Sequence, residues 1–157
     1  MNWYKKAQLH YDIMPSDPDG YYDDDDDVDV HDIPGQADQI AKGSGINILS
    51  DKSLASVARD KTGRVIGALY TSIVDNIFSF DIVVEKSSQG IGIGKRLVDE
   101  AISMYQSYAF DVPDLKIEAD VVSPAMQHIL ASRGWVVQKA IKGHVVMVPK
   151  VGINENG

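Results

Sequence analysis

The sequence predicts an α/β (α+β) fold, with a mixed, mostly antiparallel central sheet flanked by helices and a parallel strand pair next to a glycine-rich loop. Two observations lead to this prediction. Three apolar segments rich in β-branched residues follow one another between residues 54 and 85, and a glycine-rich turn, residues 89–96, comes after them. A helix, a strand, a second helix and two short strands are predicted next, and a strand–helix–strand unit implies a right-handed crossover between parallel neighbours.

Length and composition indicate a single soluble domain. The chain has 157 residues, of which 44% are hydrophobic, and no apolar run approaches the roughly 18 residues of a membrane span. The absence of cysteine excludes a disulfide framework, a thiolate metal site and a cysteine nucleophile. Residues 1–14 also lack the continuous apolar segment of a secretion signal. We therefore expect a cytoplasmic protein with no membrane partner and no bound metal.

The negative charge is concentrated at the start of the chain. Residues 1–32 hold ten Asp and two Lys, which accounts for the whole formal net charge of −8. Adjacent like charges, as at residues 23–27, repel one another and favour a solvated segment. We predict an acidic, partly disordered leader at residues 1–45, a folded domain at 46–150 and a flexible tail at 151–157. The leader argues against a nucleic-acid partner, and it would suit a basic partner or a cationic substrate.

Secondary structure before the glycine-rich turn follows from local patterns. Within the leader, residues 34–42 are typical of a short helix that ends at Gly43. Residues 54–59 and 65–73 flank a polar turn and therefore predict an antiparallel hairpin. A second turn, Asp75-Asn76, leads to a third strand at residues 77–85, whose Ile, Val and Phe content favours a strand covered on both faces.

The elements after the turn are predicted in the same way. One stripe of the next helix is apolar and is expected to pack on the core: Leu97, Val98, Ala101, Ile102 and Tyr105. Residues 115–121 alternate between apolar and polar, so the polar side chains should share one face of a strand. Ser123 and Pro124 are a suitable N-cap and first position for a helix that Gly134 ends. Residues 136–139 and 144–150 are predicted to form a closing strand pair.

The glycine-rich turn has the features of a phosphate-binding loop. Glycines at alternate positions allow close approach to a bulky anion, and the helix that follows directs unpaired N–H groups at the same point. A Walker loop is excluded, because Gln89 stands where it requires Gly and Arg96 where it requires Ser or Thr. A dinucleotide-binding fingerprint that starts at Gly90 is excluded by Lys95, where it requires Gly.

The turn resembles the acyl-CoA pyrophosphate loop of the GNAT acetyltransferases. That loop has Gln or Arg, two residues, Gly, one residue and then Gly or Ala, and here Gln89, Gly92 and Gly94 occupy these positions. Residues 80–84 are similar to the family strand that lies along the pantetheine arm of coenzyme A. Residues 115–123, the helix after them and the dipeptide Gly134-Trp135 are similar to the elements that follow in the family. The resemblance covers residues 46–150 and leaves residues 1–45 outside it.

This resemblance implies an N-acetyltransferase. Such an enzyme moves an acetyl group from acetyl-CoA to a primary amine of a small molecule, peptide or protein, by direct attack in a ternary complex. A backbone N–H near the end of the strand before the loop would polarise the thioester carbonyl. The residues implied to bind the cofactor are Val83, Val84, Gln89, Gly90, Ile91, Gly92, Ile93, Gly94, Lys95, Arg96 and Ser123.

For the general base, the resemblance favours Glu118. It stands five residues before Ser123, where some family members carry a Glu that acts as base, directly or through water. Asp81 and Glu85, on the strand before the loop, are the alternatives. By residue type alone, a Glu on an exposed strand face is more often a solvated surface residue than a catalyst. Asp120 shares the face of Glu118 and adds to an acidic patch that would suit a cation.

The sequence also departs from the family pattern. Family members often carry Asn where Ser123 stands and, seven residues later, a Tyr that protonates the coenzyme sulfur, but this chain has Leu130 there. His128 is two residues away, and this offset turns it about 200° around the helix, so a surface or substrate-facing position is expected. The alternative function is therefore a catalytically weak or inert CoA-binding or interaction module.

Overall fold

The computed structural model describes residues 10–13, 32–43, 52–141 and 143–150. The described strands are β1 (His10–Ile13), β2 (Ser53–Arg59), β3 (Val65–Val74), β4 (Ile77–Val84), β5 (Lys116–Val121), β6 (Trp135–Ile141) and β7 (His144–Pro149). The described helices are α1 (Ile33–Gly43), α2 (Ile93–Asp111) and α3 (Pro124–Ser132), with a 3-10 turn at Lys86–Ser88. No described helix has an apolar stretch long enough to cross a bilayer.

The described strands form one mixed sheet in the order β1-β2-β3-β4-β5-β7-β6. Neighbouring strands are antiparallel except for β4 and β5, which run parallel and are joined by α2. The predicted fold class is confirmed, including the position of the parallel pair beside the glycine-rich turn. The strand–helix–strand connection accounts for this pair, because parallel neighbours need a long crossover.

Two tight turns set the register of β2, β3 and β4. In the β2–β3 turn, the Asp60 carboxylate accepts hydrogen bonds from the backbone N–H and the hydroxyl of Thr62. In the β3–β4 turn, Asp75 and Asn76 have φ angles of 53° and 62°. Two successive positive φ values match the right-handed twist of a hairpin, and Asp and Asn tolerate them better than most residues. Both predicted hairpins are confirmed.

Helices cover both faces of the sheet. On one face, α2 and α3 bury Leu97, Val98 and Leu130 against the rings of Phe78 and Phe80 on β4. On the other face, α1 packs on the sheet through two small residues against the following partners: Ala37 and Ala41 against Val57, Val65, Ala68, Tyr70 and Val83. The strand β4 is thus covered on both sides, as its continuous apolar sequence predicts.

The part of the chain before residue 46 requires a correction. β1 pairs with β2, and α1 contributes fully buried side chains to the core on its face of the sheet. The expectation that the domain begins at residue 46 is therefore wrong for these two segments. The composition of the region misled the prediction, since the many Asp residues outweighed the short apolar stripe of α1. The acidic run at residues 23–29 lies outside the described residues, as does the predicted tail at 151–157.

The parallel pair separates before β4 ends. Backbone pairing between β4 and β5 extends from Ile77 opposite Lys116 to Phe80 opposite Ala119. Beyond that point β4 continues for four residues beside β3, whereas the end of β5 pairs with β7. A gap therefore opens between two strands of the sheet, and backbone groups of residues 81–84 that face it are left for a ligand or solvent.

Candidate active site

The glycine-rich turn connects the end of β4 to the start of α2. Gly90 and Gly92 have φ angles of 90° and 95°, a region that only glycine adopts readily. Gly92 is the N-cap of α2 and supplies no capping side chain, and the first helical hydrogen bond is donated by Arg96 N–H to the Gly92 carbonyl at 3.1 Å. The earlier N–H groups of α2 have no intrahelical partner, as at any helix start. The N-terminus of α2 therefore carries partial positive charge at this turn, which suits the binding of an anion.

A cavity of about 240 Å³ lies beside this turn, at the gap between β4 and β5. Its lining comes from the end of β4, the turn, the end of β5, α3 and the last residue of α1. The residues that line it are Gly43, Ile82, Val83, Val84, Lys86, Gln89, Gly90, Gly94, Asp120, Val121, Val122, Ser123, Ala125, Met126 and Ile129. The lining is mainly apolar along the strands and polar at the turn, so the site suits a ligand with an apolar arm and an anionic end.

Two residues of the sequence-predicted cofactor set shape the cavity through packing. A Cβ on Gly94 would lie 3.2 Å from Ile129 Cδ1 and 3.3 Å from Met126 Cε, so a larger residue here would require these side chains of α3 to shift by a few tenths of an ångström. The Ser123 hydroxyl accepts a hydrogen bond from Met126 N–H at 3.0 Å and fixes the start of α3 at the cavity wall.

The other predicted cofactor residues divide into two groups. Val83, Val84, Gln89 and Gly90 line the cavity, as do Gly94 and Ser123. The side chain of Gln89 donates to the Val84 carbonyl at 3.2 Å, which ties the turn to the strand. The remaining residues, Ile91, Gly92, Ile93, Lys95 and Arg96, lie outside the lining. Because the Ile93 side chain is buried in the core, only its backbone is available to a ligand.

An acidic cluster adjoins the cavity on the α1 face of the sheet. Lys52 Nζ lies 3.1 Å from Asp81 Oδ2 on β4 and 2.6 Å from Asp120 Oδ2 on β5. On the far side, His144 Nε2 lies 4.0 Å from Asp120 Oδ1. The Lys52 and Asp81 side chains are almost fully buried, whereas Asp120 retains about a quarter of its exposure and lines the cavity.

Burial and charge shift the titration of this cluster. Burial raises the pKa of Asp81 to about 6, although the Lys52 ammonium acts in the opposite direction. Burial acts to lower the pKa of Lys52, but the negative charges and hydrogen bonds of Asp81 and Asp120 outweigh it, so this pKa is raised above its ordinary value. At neutral pH Lys52 is therefore charged and Asp81 is mostly ionised.

The three predicted bases differ in their exposure to solvent and in the residues that already bind them. Glu118 is half-buried on β5, opposite Ser79, whose hydroxyl donates to Glu118 Oε2 at 3.3 Å. Asp81 is 4% exposed and already bound by Lys52. Glu85 accepts hydrogen bonds from the guanidinium of Arg64 on both oxygens, which lowers the pKa of Glu85. The structure thus brings Glu118 and Asp81 to one face and assigns Glu85 to an ion pair at the turn.

Leu130 and His128 lie in different environments, the core and the protein surface. Leu130 is fully buried among the core side chains of α2, α3 and β4, and it does not line the cavity. His128 is exposed on α3, which agrees with the surface position that the helical offset predicts. Neither residue places a proton donor in the cavity.

Sequence reasoning missed Lys52 and His144. Lys52 reaches carboxylates that lie 29 and 68 residues further along the chain, and no local pattern signals such a pairing. His144 comes beside Asp120 because β7 pairs with the end of β5. The alternation of residues 115–121 does predict that Asp120 and Glu118 share a face, but not that Asp120 is at the gap.

Comparisons with known proteins agree with this geometry. Residues 8–130 match the model of the acetyltransferase (GNAT) family. The structure is similar to that of the PaiA N-acetyltransferase of Thermoplasma acidophilum in complex with coenzyme A, with a TM-score of 0.51 and 17% identity over 71% of this chain. That match spans 65% of the Thermoplasma enzyme, less than two thirds of its length. A GNAT-family acetyltransferase of Staphylococcus aureus gives a TM-score of 0.59 and 11% identity over 89% of this chain and 98% of its own. A search of the curated proteins found no match.

Proposed function

The chain belongs to the acetyltransferase (GNAT) family, and we propose that it transfers an acetyl group from acetyl-CoA to a primary amine by direct attack in a ternary complex. The observation that carries the proposal is the cavity at the gap between β4 and β5, whose lining includes residues of the glycine-rich turn, apolar residues of both strands and the carboxylate of Asp120. These three kinds of lining suit an anionic group, an apolar arm and a reacting amine.

The turn suits the phosphates of coenzyme A. Nothing lies within 4 Å of a Cβ built on Gly90, so the turn is open at this residue, which lines the cavity. Lys86 lines the cavity beside the glycine-rich turn, and Lys95 is exposed on the first turn of α2. Backbone N–H groups, the helix dipole and lysines together favour a pyrophosphate. Coenzyme A is bound in the Thermoplasma acidophilum structure, which supports the assignment by analogy.

The gap suits the pantetheine arm and the thioester. The arm contains amides, and the backbone of Val83 and Val84 beside the gap offers partners for them. A backbone N–H near Val84 would stabilise the oxyanion that forms when the amine attacks. Glu118 and Asp120 are on the same face of β5, and Asp120 lines the cavity, so their negative charge favours a cationic acceptor.

A second candidate function is a CoA-binding module without turnover. Leu130 favours it, because the family Tyr that would protonate the departing sulfur is replaced by a side chain buried in the core. Coenzyme A thiolate is a good leaving group, however, so transfer does not strictly require this acid.

Binding and turnover can be measured separately. We expect isothermal titration to give saturable acetyl-CoA binding, and a thiol-release assay against pooled primary amines to give amine-dependent release. Binding without release from any amine would support the inert module instead. No binding at all would contradict both functions and leave the glycine-rich turn with a structural role only.

A further inference from the structure

Asp120 is the acidic residue at the cavity. Of the described residues that line the cavity, it is the one that carries a carboxylate. It stands one residue beyond Ala119, the last β5 residue paired with β4, so its side chain is at the point where the two strands separate. The side chain keeps 26% of its exposure, enough for one oxygen to reach a ligand while the other is bound in the protein.

Lys52 determines how Asp120 is oriented. Its ammonium binds Oδ2 of Asp120 at 2.6 Å and is itself anchored by the buried carboxylate of Asp81 at 3.1 Å. An almost fully buried ammonium with two carboxylate partners has little freedom to move. The Asp120 carboxylate is therefore held in one orientation, with Oδ1 away from Lys52.

Resting on the proposed function, we infer that Asp120 accepts the proton of the acceptor ammonium, and that Lys52 is the positioning residue that holds the Asp120 carboxylate in its orientation. Glu118, which the sequence favours, lies two residues earlier, about 6–7 Å along the strand. It is opposite Ser79 in the closed part of the β4–β5 pair and does not line the cavity. Asp81 is sealed from solvent by Lys52, and Glu85 is bound by Arg64.

The charged groups around Asp120 come from three strands and from the residue before β2. Lys52 precedes β2, Asp81 is on β4, His144 is on β7, and Glu118 is on the same strand. Tyr70 on β3 stands opposite Asp81 in register and donates its hydroxyl to Asp38 on α1 at 2.6 Å. Lys52, at 2.6 Å, is closer to the Asp120 carboxylate than His144, at 4.0 Å, and it is the group that binds Oδ2.

The proposed step balances as follows. An N–H bond of the acceptor ammonium breaks, and the proton moves to Asp120 Oδ1, directly or through one water. The freed electron pair on nitrogen forms the N–C bond to the acetyl carbonyl carbon, and the C–S bond breaks with its electron pair on sulfur. One of the two remaining amine protons moves from the nitrogen to the sulfur, directly or through water, and the sulfur departs as a thiol. The products are the amide, the thiol and one proton that Asp120 returns to solvent.

Two conservative variants test the assignment in the full-length protein. We expect Asp120→Asn to lower kcat/KM about 100-fold or more and to keep the acetyl-CoA Kd within about threefold, because only the proton acceptor is lost. Glu118→Gln should retain the acidic limb of the pH profile of kcat/KM, whereas Asp120→Asn should lose it. Asp111→Asn, an exposed carboxylate at the end of α2, is the control for a general change of charge.

The role of Lys52 has its own readout. Lys52→Met should lower kcat about tenfold or more and keep the acetyl-CoA Kd within about threefold, because Asp120 loses the ammonium that orients it, and Lys52→Arg should restore part of the activity. A structural role for Lys52 alone would lower the fraction of protein that binds acetyl-CoA and leave kcat per binding-competent molecule unchanged. Near wild-type kcat/KM in Asp120→Asn, or loss of the acidic limb in Glu118→Gln, would overturn the inference while leaving the proposed function intact.

A titration that needs no turnover separates the two proposals. In the protein saturated with coenzyme A, ethylammonium chloride is added, and carboxyl carbons are followed by ¹³C NMR. We expect the Asp120 signal to shift and the Asp111 signal to stay. If the wild type releases no thiol from any amine, the proposed function fails, and a shift at Asp120 would still support its contact with the acceptor ammonium. No shift at Asp120 would overturn the inference.

Discussion

Replacing Lys52 with Met should destabilise the protein by an amount that grows with pH. The Lys52 ammonium is 3% exposed and lies between Asp81 and Asp120, and Met keeps the side-chain length without the charge. Removing one member of a buried ion pair leaves the partner carboxylate without compensation. The size of the effect depends on whether Asp81 takes up a proton, because a protonated Asp81 carries no uncompensated charge.

The titration of Asp81 sets this size. In the wild type its pKa is about 6, so above pH 6 it is ionised in both the folded and the unfolded state. Without Lys52 its folded pKa rises further, the folded state keeps a proton that the unfolded state has lost, and stability falls as pH rises. Each pH unit above 6 costs about 1.4 kcal/mol, up to the new pKa. We therefore expect a deficit from Asp81 near zero at pH 5, about 1.4 kcal/mol at pH 7 and at most about 3 kcal/mol at pH 8.

Urea unfolding followed by circular dichroism at pH 5, 7 and 8 measures this deficit. The double variant Lys52→Met/Asp81→Asn replaces the carboxyl with a neutral amide and should lose the pH-dependent part. Lys61→Met, on the exposed β2–β3 turn, is the matched control and should show no such dependence. A deficit of equal size at all three pH values would refute the reasoning, because it would mean that lost packing, and not the charge of Asp81, is responsible.

Three further predictions concern the turn and the core. Gly92→Ala and Gly92→Glu should each lose about 1 kcal/mol of stability, because both side chains are strained at a φ of 95°, but only the Glu variant should abolish acetyl-CoA binding by isothermal titration. Equal affinities in the two variants would contradict the anion site. Glu85→Gln should lose less than about 1 kcal/mol in urea unfolding, since its pair with Arg64 is partly exposed. Leu130→Tyr should destabilise by about 1–3 kcal/mol through overpacking and should not raise turnover, because the position is in the core and not in the cavity.

Most of the fold could be predicted because the signals are local. The turn at Asp75-Asn76 requires residues that tolerate positive φ, and Ser123 with Pro124 marks the start of α3 within two positions. Each of these features depends on a few adjacent residues, so a short stretch of sequence is sufficient to specify it. The N-terminal elements were harder to predict, because β1 is four residues long and becomes stable only when it pairs with β2.

The candidate site was predictable only in part. Gln89, Gly92 and Gly94 mark the turn as similar to an acyl-CoA loop, because the spacing of these residues can be read directly from the sequence. The base can be chosen among Glu118, Asp81, Glu85 and Asp120 only when the residues that contact each carboxylate are known. Those residues come from parts of the chain that are distant in sequence. Glu85 is bound by Arg64, and Glu118 lies in the paired part of β4 and β5, before the gap.

The sequence by itself determined the order of strands and helices after residue 53, the glycine-rich turn at the start of α2 and the acidic face of β5. Hydrophobic periodicity and turn chemistry act over a few residues, so these features can be inferred before the chain folds. Only the tertiary structure decided that β1 pairs with β2 and that α1 packs on the sheet. The same is true of the separation of β4 and β5 after Phe80 and Ala119, and of the contact by which Lys52 holds Asp120 at the cavity. These depend on contacts between residues far apart in the chain, and such contacts exist only when the whole sheet has formed.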